Sequence, residues 1–175
     1  MDIGSGDRPH PDATHLCDLY VESNTERGGD IKIDRPFVAC SAEFLPFKED
    51  AFEFDYACHV LEHADDPSKA VAEITRVARR GYIETPTSLA EFLYGWSFHK
   101  WSIHFENGKL AFGPKPSTQK LLNMHSLYAN NIAVRYIDTI FDRLLGTHYL
   151  RIAWYKNCQV KYTRIRKLNK TWHAV

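Results

Sequence analysis

Apolar and polar residues alternate in short blocks through the first half of the chain, punctuated by glycine, proline and capping residues. Thr14 to Leu19, Phe37 to Cys40 and Gly81 to Thr85 are short apolar runs that predict strands, the last closed by Pro86. Phe52 to Cys58 alternates large and polar side chains and predicts another. Pro67 to Arg80 has helical spacing instead, because Ala70, Val71, Ile74, Val77 and Ala78 fall on one face. Asp66 suits the N-cap and Pro67 the first helical position. Arg79 and Arg80 then sit at the negative end of the helix dipole, with Gly81 as the stop. Strand, helix, strand in this order predicts a βαβ unit with parallel strands and a right-handed crossover.

After Pro86 the pattern changes. Phe92, Tyr94, Trp96, Phe98, Trp101 and Phe105, with His99, crowd one short stretch. Asn107-Gly108 signals a type I′ hairpin, which pairs Phe105 with Leu110 and Ile103 with Phe112 on one face. Ser117 to Tyr128 is read as helical. Asn131 to Leu145 is a second helix, with a stripe of Tyr136, Ile137, Ile140, Phe141, Leu144 and Leu145 and Gly146 as its stop. Leu150 to Tyr155 and Gln159 to Ile165 predict two strands around Lys156-Asn157, and the last ten residues are read as a loose terminus.

The 175 residues, 44% apolar and 25% charged, fit one globular domain and exclude a fibrous, collagen-like or wholly disordered chain. We expect one domain over 1–175, made of a half over 1–86, a cap and hairpin over 87–130, and a helix with a strand pair over 131–175. No apolar run approaches the ~18 residues of a membrane-spanning helix. Met1-Asp2-Ile3-Gly4 shows no signal peptide. Cys17, Cys40, Cys58 and Cys158 form no C-x-x-C pair and are expected to be reduced, as in a cytoplasmic protein. Net charge is zero, but Arg151 to Val175 holds seven cations and no acid, which leaves −7 on the rest. Such a basic end can contact nucleic acid, although more often it is simply solvated.

The candidate chemistry lies at the carboxyl ends of the predicted strands, where open α/β sheets bind ligands. Gly4-Ser5-Gly6 is a turn that lets backbone approach a ligand closely. Asp18 ends the second strand and can accept both hydroxyl hydrogen bonds of a ribose. Ser41-Ala42-Glu43-Phe44-Leu45-Pro46-Phe47 follows the third strand, and Cys58-His59-Val60-Leu61-Glu62-His63 closes the fourth.

With Asp2-Ile3-Gly4-Ser5-Gly6 in front and Asp66-Pro67 behind, these motifs make Asp2 to Pro86 resemble a class I S-adenosylmethionine-dependent methyltransferase of the type 11 family. The resemblance implies an α/β, Rossmann-like methyltransferase sheet: mostly parallel, an antiparallel last strand, a shortened first strand and an aromatic cap after strand 5. It implies S-adenosyl-L-methionine as cofactor. Asp2, Gly4, Ser5 and Gly6 would form the turn against its methionine and ribose, and Asp18 would hold the ribose hydroxyls. Ser41, Ala42 and Glu43 would flank the adenine, and Cys58 and His59 would border the sulfonium. Three features depart from the family pattern. Ser41 replaces the usual Asp. Asp7 to Ala13 is too short and proline-broken for the usual first helix. Met1 to Ile3 is too short for a typical central strand, so its neighbours would face a gap.

The same motifs admit other readings. A nicotinamide-type dinucleotide site wants a third glycine, where Pro9 stands. His59-x-x-Glu62-His63 spells an inverted zinc-protease signature, but the chain leaves a strand there and restarts at Asp66-Pro67, so no metal is expected. His59 and His63 are the candidate general bases, with His99 and His104 behind them. The expected function is methyl transfer to an O, N or C nucleophile of a small-molecule acceptor under the aromatic cap. The alternatives are a non-catalytic relic or interaction module of the same fold, and a nucleic-acid methyltransferase using the basic end.

Overall fold

A computed structural model describes residues 1–24, 26–106, 109–115, 131–146, 148–156 and 163–164. In chain order the elements are β1 (Asp2–Ile3), β2 (Leu16–Asp18), β3 (Phe37–Ala39), β4 (Phe52–Cys58), α1 (Pro67–Val77), β5 (Ala78–Pro86), α2 (Ser88–Tyr94), β6 (Trp101–Glu106), β7 (Lys109–Pro114), α3 (Ile132–Leu145), β8 (Tyr149–Tyr155) and β9 (Thr163–Arg164). Seven strands form one sheet in the order β3-β2-β1-β4-β5-β8-β9. β1 to β5 are parallel, β8 runs against β5, and β9 returns along β8. The chain therefore has the α/β, Rossmann-like methyltransferase architecture.

Order reverses between β1 and β4, so the loops leaving β1, β2, β4 and β5 converge at one edge of the sheet, the place such folds use for ligands. β1 has only two residues, yet it occupies the sheet's centre, with Asp2 and Ile3 paired to Leu16 and Cys17 on one side and to Tyr56 and Ala57 on the other. No helix lies between β1 and β2, as the prolines dictate.

α1 packs Ala70, Ile74 and Val77 into a core shared with Ile3, Ala57, Leu61, Ile83, Ile152 and Trp154. Asp66 caps it by accepting the Lys69 N–H at 3.0 Å. The helix stops at Val77, three residues before the predicted Arg80. Ala78 is already extended (φ −128°) and pairs with Phe52, so Ala78, Arg79, Arg80 and Gly81 belong to β5. The cation in the last helical turn is Arg76. Gly81 is not a helix stop: a Cβ there would meet the Asp55 carbonyl oxygen at 2.6 Å and Trp154 Nε1 at 2.7 Å. Its missing side chain makes room for the fully buried Trp154 indole.

The predicted strands at Thr14–Leu19 and Phe37–Cys40 shorten to Leu16–Asp18 and Phe37–Ala39. β6 and β7 pair with Ile103 opposite Phe112 and Phe105 opposite Leu110, the predicted register, and Ile103 enters the core. α3 begins where Asn131 accepts the Ala133 and Val134 N–H groups and ends at Gly146, at φ 60°. Of its expected stripe, Tyr136 and Ile140 are exposed. α2 was not predicted. The turn residues Asn107 and Gly108, the predicted helix over Ser117–Tyr128, most of the strand expected over Gln159–Ile165, Cys158 and the last ten residues lie outside the described residues.

Among the described residues of the basic C-terminal stretch, Arg151 and Lys156 serve the fold. Arg151 pairs with Glu84 at 3.0 Å and Asp142 at 2.6 Å, and Lys156 with Glu49 and Asp50 at 2.7 Å each. Among the described residues no helix is long and apolar enough to cross a membrane. Cys17, Cys40 and Cys58 are free thiols.

Candidate functional site

A cavity of about 740 Å³ opens at the carboxyl ends of β1, β2, β3 and β4. Asp2, Gly4, Ser5, Asp18, Ser41, Ala42, Glu43, Cys58, His59 and His63 all line it. Gly6 lies outside that lining but is tied to it through Asp18, and His104, exposed on β6, is not brought to the cavity.

The turn after β1 requires its glycines. Gly4 and Gly6 take φ 68° and 52°. A Cβ on Gly4 would stand 2.6 Å from Val60 Cγ2, so the turn and the loop after β4 close on each other only because that atom is missing. Asp18 Oδ2 accepts the Gly6 N–H and Oδ1 the Tyr20 N–H, each at 2.9 Å. Arg27 stands 3.7 Å from Oδ1. Ser5 is 5% exposed, and its hydroxyl has no hydrogen-bond partner among the described residues. A buried hydroxyl on a cavity wall is suited to a bound polar ligand.

The loop after β3 is held from behind by α1. Glu73 accepts the Leu45 N–H at 3.0 Å, and Arg76 donates to the carbonyls of Leu45 and Phe47 at 3.0 and 2.8 Å. Ser41 Oγ accepts the Glu43 N–H at 3.1 Å, and Glu43 Oε1 accepts the Asp65 N–H at 2.6 Å. Glu43 therefore laces the loop after β3 to the loop after β4.

β4 ends in a strained corner. His59 is a non-glycine residue at φ 56°, where its N–H donates to the Glu84 carbonyl at 2.9 Å. Its Nδ1 lies 3.0 Å from Glu62 Oε1. Leu61 is fully buried and anchors the turn that presents Glu62 and His63. His63 Nδ1 lies 3.0 Å from Glu26, and its ring stacks on Phe98.

The two candidate bases titrate in opposite directions. Desolvation pulls His59 down, but its bonds with Cys58 and the Glu62 carboxylate outweigh this and hold it protonated well above the usual histidine value. Desolvation also pulls His63 down and prevails there, aided by the neighbouring His99 and His59 against Glu62 and Glu26. Near neutrality His63 is the imidazole free to accept a proton and His59 is the cation.

The far wall comes from residues after β5. Thr87 accepts the Ala90 N–H at 3.2 Å to cap α2, and Gly95 ends it at φ 63°. Glu91 of α2, 1% exposed, holds His99 Nδ1 and pairs with Lys115 at 2.8 Å. Trp96, Phe98, His99 and Tyr149 face the cavity. Glu26, Arg27, Glu91 and Tyr149 escaped sequence reasoning, since no local pattern marks a contact made across the sheet edge. Thr87 before Ser88 and Gly95 after Tyr94 are the signal that could have found α2.

Residues 13–83 match the methyltransferase domain family. No curated protein matches the chain. Among solved structures, a SAM-dependent methyltransferase from Thermotoga maritima, described as a possible histamine N-methyltransferase, is 21% identical over 50% of this chain and 42% of its own, with a TM-score of 0.38. The YcgJ protein from Bacillus subtilis is 26% identical over 54% of this chain and 48% of its own, at 0.40. An S-adenosylmethionine-dependent methyltransferase from Mesorhizobium loti is 10% identical over 87% and 88%, at 0.47. The chain spans less than half the length of the first two.

Proposed function

We propose that this chain, whose residues 13–83 match the methyltransferase domain family, binds S-adenosylmethionine in the cavity beside Gly4 and transfers its methyl group to a small-molecule acceptor. The observation that carries the reading is the Gly4–Gly6 turn, with its positive φ angles, the buried Ser5 hydroxyl that has no partner among the described residues, and Asp18 beside it.

When bound, the cofactor supplies an electrophilic methyl group on a sulfonium. Gly4 and Gly6 admit its chain to the backbone. Asp18 spends one lone pair of each oxygen on Gly6 and Tyr20, and the remaining pairs accept from ribose hydroxyls. Asp2 stands behind the turn. Ser41, Ala42 and Glu43 form the adenine corner, and Cys58 with His59 borders the reacting end. Trp96 and Phe98 keep water from that end, which such a displacement needs as much as in-line placement. His63, the imidazole of lowered basicity, takes the proton of an acceptor that arrives protonated. His59, held as a cation, positions the corner through Glu62 instead.

The test is a transfer assay with S-adenosylmethionine labelled at the methyl group, run across pools of small hydroxyl and amine acceptors. Label should appear in an acceptor with wild-type protein and vanish with Gly4→Val. Retained cofactor binding with no label in any acceptor would favour the non-catalytic module.

A further inference from the structure

Glu62, His63 and His99 are brought together from the loop after β4 and the loop before β6, and one ligand atom from each lies within 4.8 Å of the other two. The two imidazoles meet edge to face, with ring centroids 4.8 Å apart. Glu62 and His99 are buried, and both histidines line the cavity. We propose that these three side chains bind one divalent transition-metal ion of the zinc class, leaving a coordination position open to the cavity. With the ion bound, His63 is a ligand and not the proton acceptor assigned to it in methyl transfer, so the two readings are tested by separate measurements.

Two imidazoles and a carboxylate, with a fourth position free, are the donor set of an open zinc-type site. Such ligands work when a second layer fixes them, and here His99 and Glu62 are hydrogen-bonded while His63 has a carboxylate at ion-pair distance. Glu91 holds His99 Nδ1 and is itself braced by Lys115 at 2.8 Å. Glu26 stands 3.0 Å from His63 Nδ1. Glu62 takes His59 on one oxygen at 3.0 Å and the Thr85 hydroxyl on the other at 3.1 Å. Trp96 and Phe98 pack on the histidine rings and form an apolar shell. Three carboxylates, Glu26, Glu62 and Glu91, gather at the cluster, and the Lys115 ammonium pairs with Glu91 at 2.8 Å, which leaves the negative surroundings a dication requires.

Metal bonds of ~2.0–2.2 Å put tetrahedral ligand atoms ~3.3–3.6 Å apart. The cluster, its ligand atoms all within 4.8 Å of one another, therefore needs to contract by at most about 1.5 Å on binding, within reach of side-chain rotation. The loop itself is already tied, because the Lys100 N–H donates to the Glu62 carbonyl at 2.8 Å. A second cluster, Cys58, His59 and Glu84, has similar spacing. Arg151 lies 3.0 Å from Glu84 and repels a dication there.

The full chain, freed of metal with a chelator, is titrated with Co²⁺ and followed by visible absorption and thermal unfolding. One equivalent should saturate the intensified d–d absorption of a four-coordinate nitrogen and oxygen site and raise the melting temperature. His99→Asn and His63→Gln should each weaken binding at least tenfold. The second variant serves if the first, at a buried position, fails to fold. No saturable one-equivalent signal in the wild type, undiminished affinity in a folded variant, or a thiolate-to-cobalt charge-transfer band marking the Cys58 cluster would each overturn the proposal. Cofactor affinity, measured separately, decides the methyl-transfer reading.

Discussion

Asp18 grips Gly6: its Oδ2 accepts the Gly6 N–H at 2.9 Å while its Oδ1 accepts the Tyr20 N–H at the same distance. One carboxylate thus fixes the turn after β1 and the exit of β2 together. Asp18→Ala leaves both donors unpaired, at roughly 1–3 kcal/mol each where water cannot reach them. We expect urea denaturation to show a loss of about 2 kcal/mol and calorimetry to show S-adenosylhomocysteine binding weakened at least tenfold. Asp18→Asn, which keeps one acceptor, should lose less stability. An unchanged denaturation midpoint in Asp18→Ala would remove this role.

Gly4 and Val60 are coupled. Gly4→Ala places a methyl 2.6 Å from Val60 Cγ2 at φ 68°, and the left-handed backbone alone costs about 1–2 kcal/mol. Val60→Ala should relieve the clash but not the backbone cost. A double-mutant cycle is expected to give a favourable coupling of at least about 1 kcal/mol between the two substitutions. Strict additivity would show that the turn and the loop do not press on each other.

Gly81→Ala should be among the most damaging single-methyl additions in the chain. Its Cβ collides with the Asp55 carbonyl and with Trp154, both held rigidly inside the sheet. Overpacking of this kind costs about 1–3 kcal/mol or more. Thermal unfolding checks it, and a wild-type melting temperature would contradict the packing described.

Asp2 makes stability depend on pH. Burial lifts its carboxyl from 3.8 to about 6. Between those values the folded chain keeps a proton that the unfolded chain has released, so stability falls as pH rises from about 4 to about 6 and is flat above. The two-unit shift corresponds to about 3 kcal/mol. Asp55, pushed by burial to about 7, adds to the same trend. Asp2→Asn can still accept the His10 N–H and should remove the Asp2 share, gaining stability at pH 7 but not at pH 4. Denaturant titrations at both values check this; equal differences at the two would contradict it.

The sheet was legible because its signals are local. Phe52–Cys58, the Asp66-Pro67 start of α1 and the register of Ile103 with Phe112 each rest on neighbouring residues. The end of α1 was not, because Val77 and Ala78 are both buried, one in a helix and the next in a strand, and apolar spacing is the same across that join. Gly81 misled for a related reason: a glycine chosen for the space Trp154 needs looks like one chosen for a turn. The glycine turn, Asp18 and the two later loops of the site could be placed from their motifs. Glu26, Arg27, Tyr149 and the Glu91 that holds His99 could not, since they are brought there by contacts between distant segments. Nor could the opposite titration of His59 and His63, which depends on which carboxylate each ring meets and how deeply each lies.

Calorimetric titration of the folded full chain with S-adenosylhomocysteine probes the corner beside Gly4 directly. One molecule should bind per chain, with affinity lost on Gly4→Val and reduced at least tenfold on Asp18→Ala. A wild-type chain that is folded by circular dichroism yet gives no saturable heat, or binds equally well after both substitutions, would contradict it.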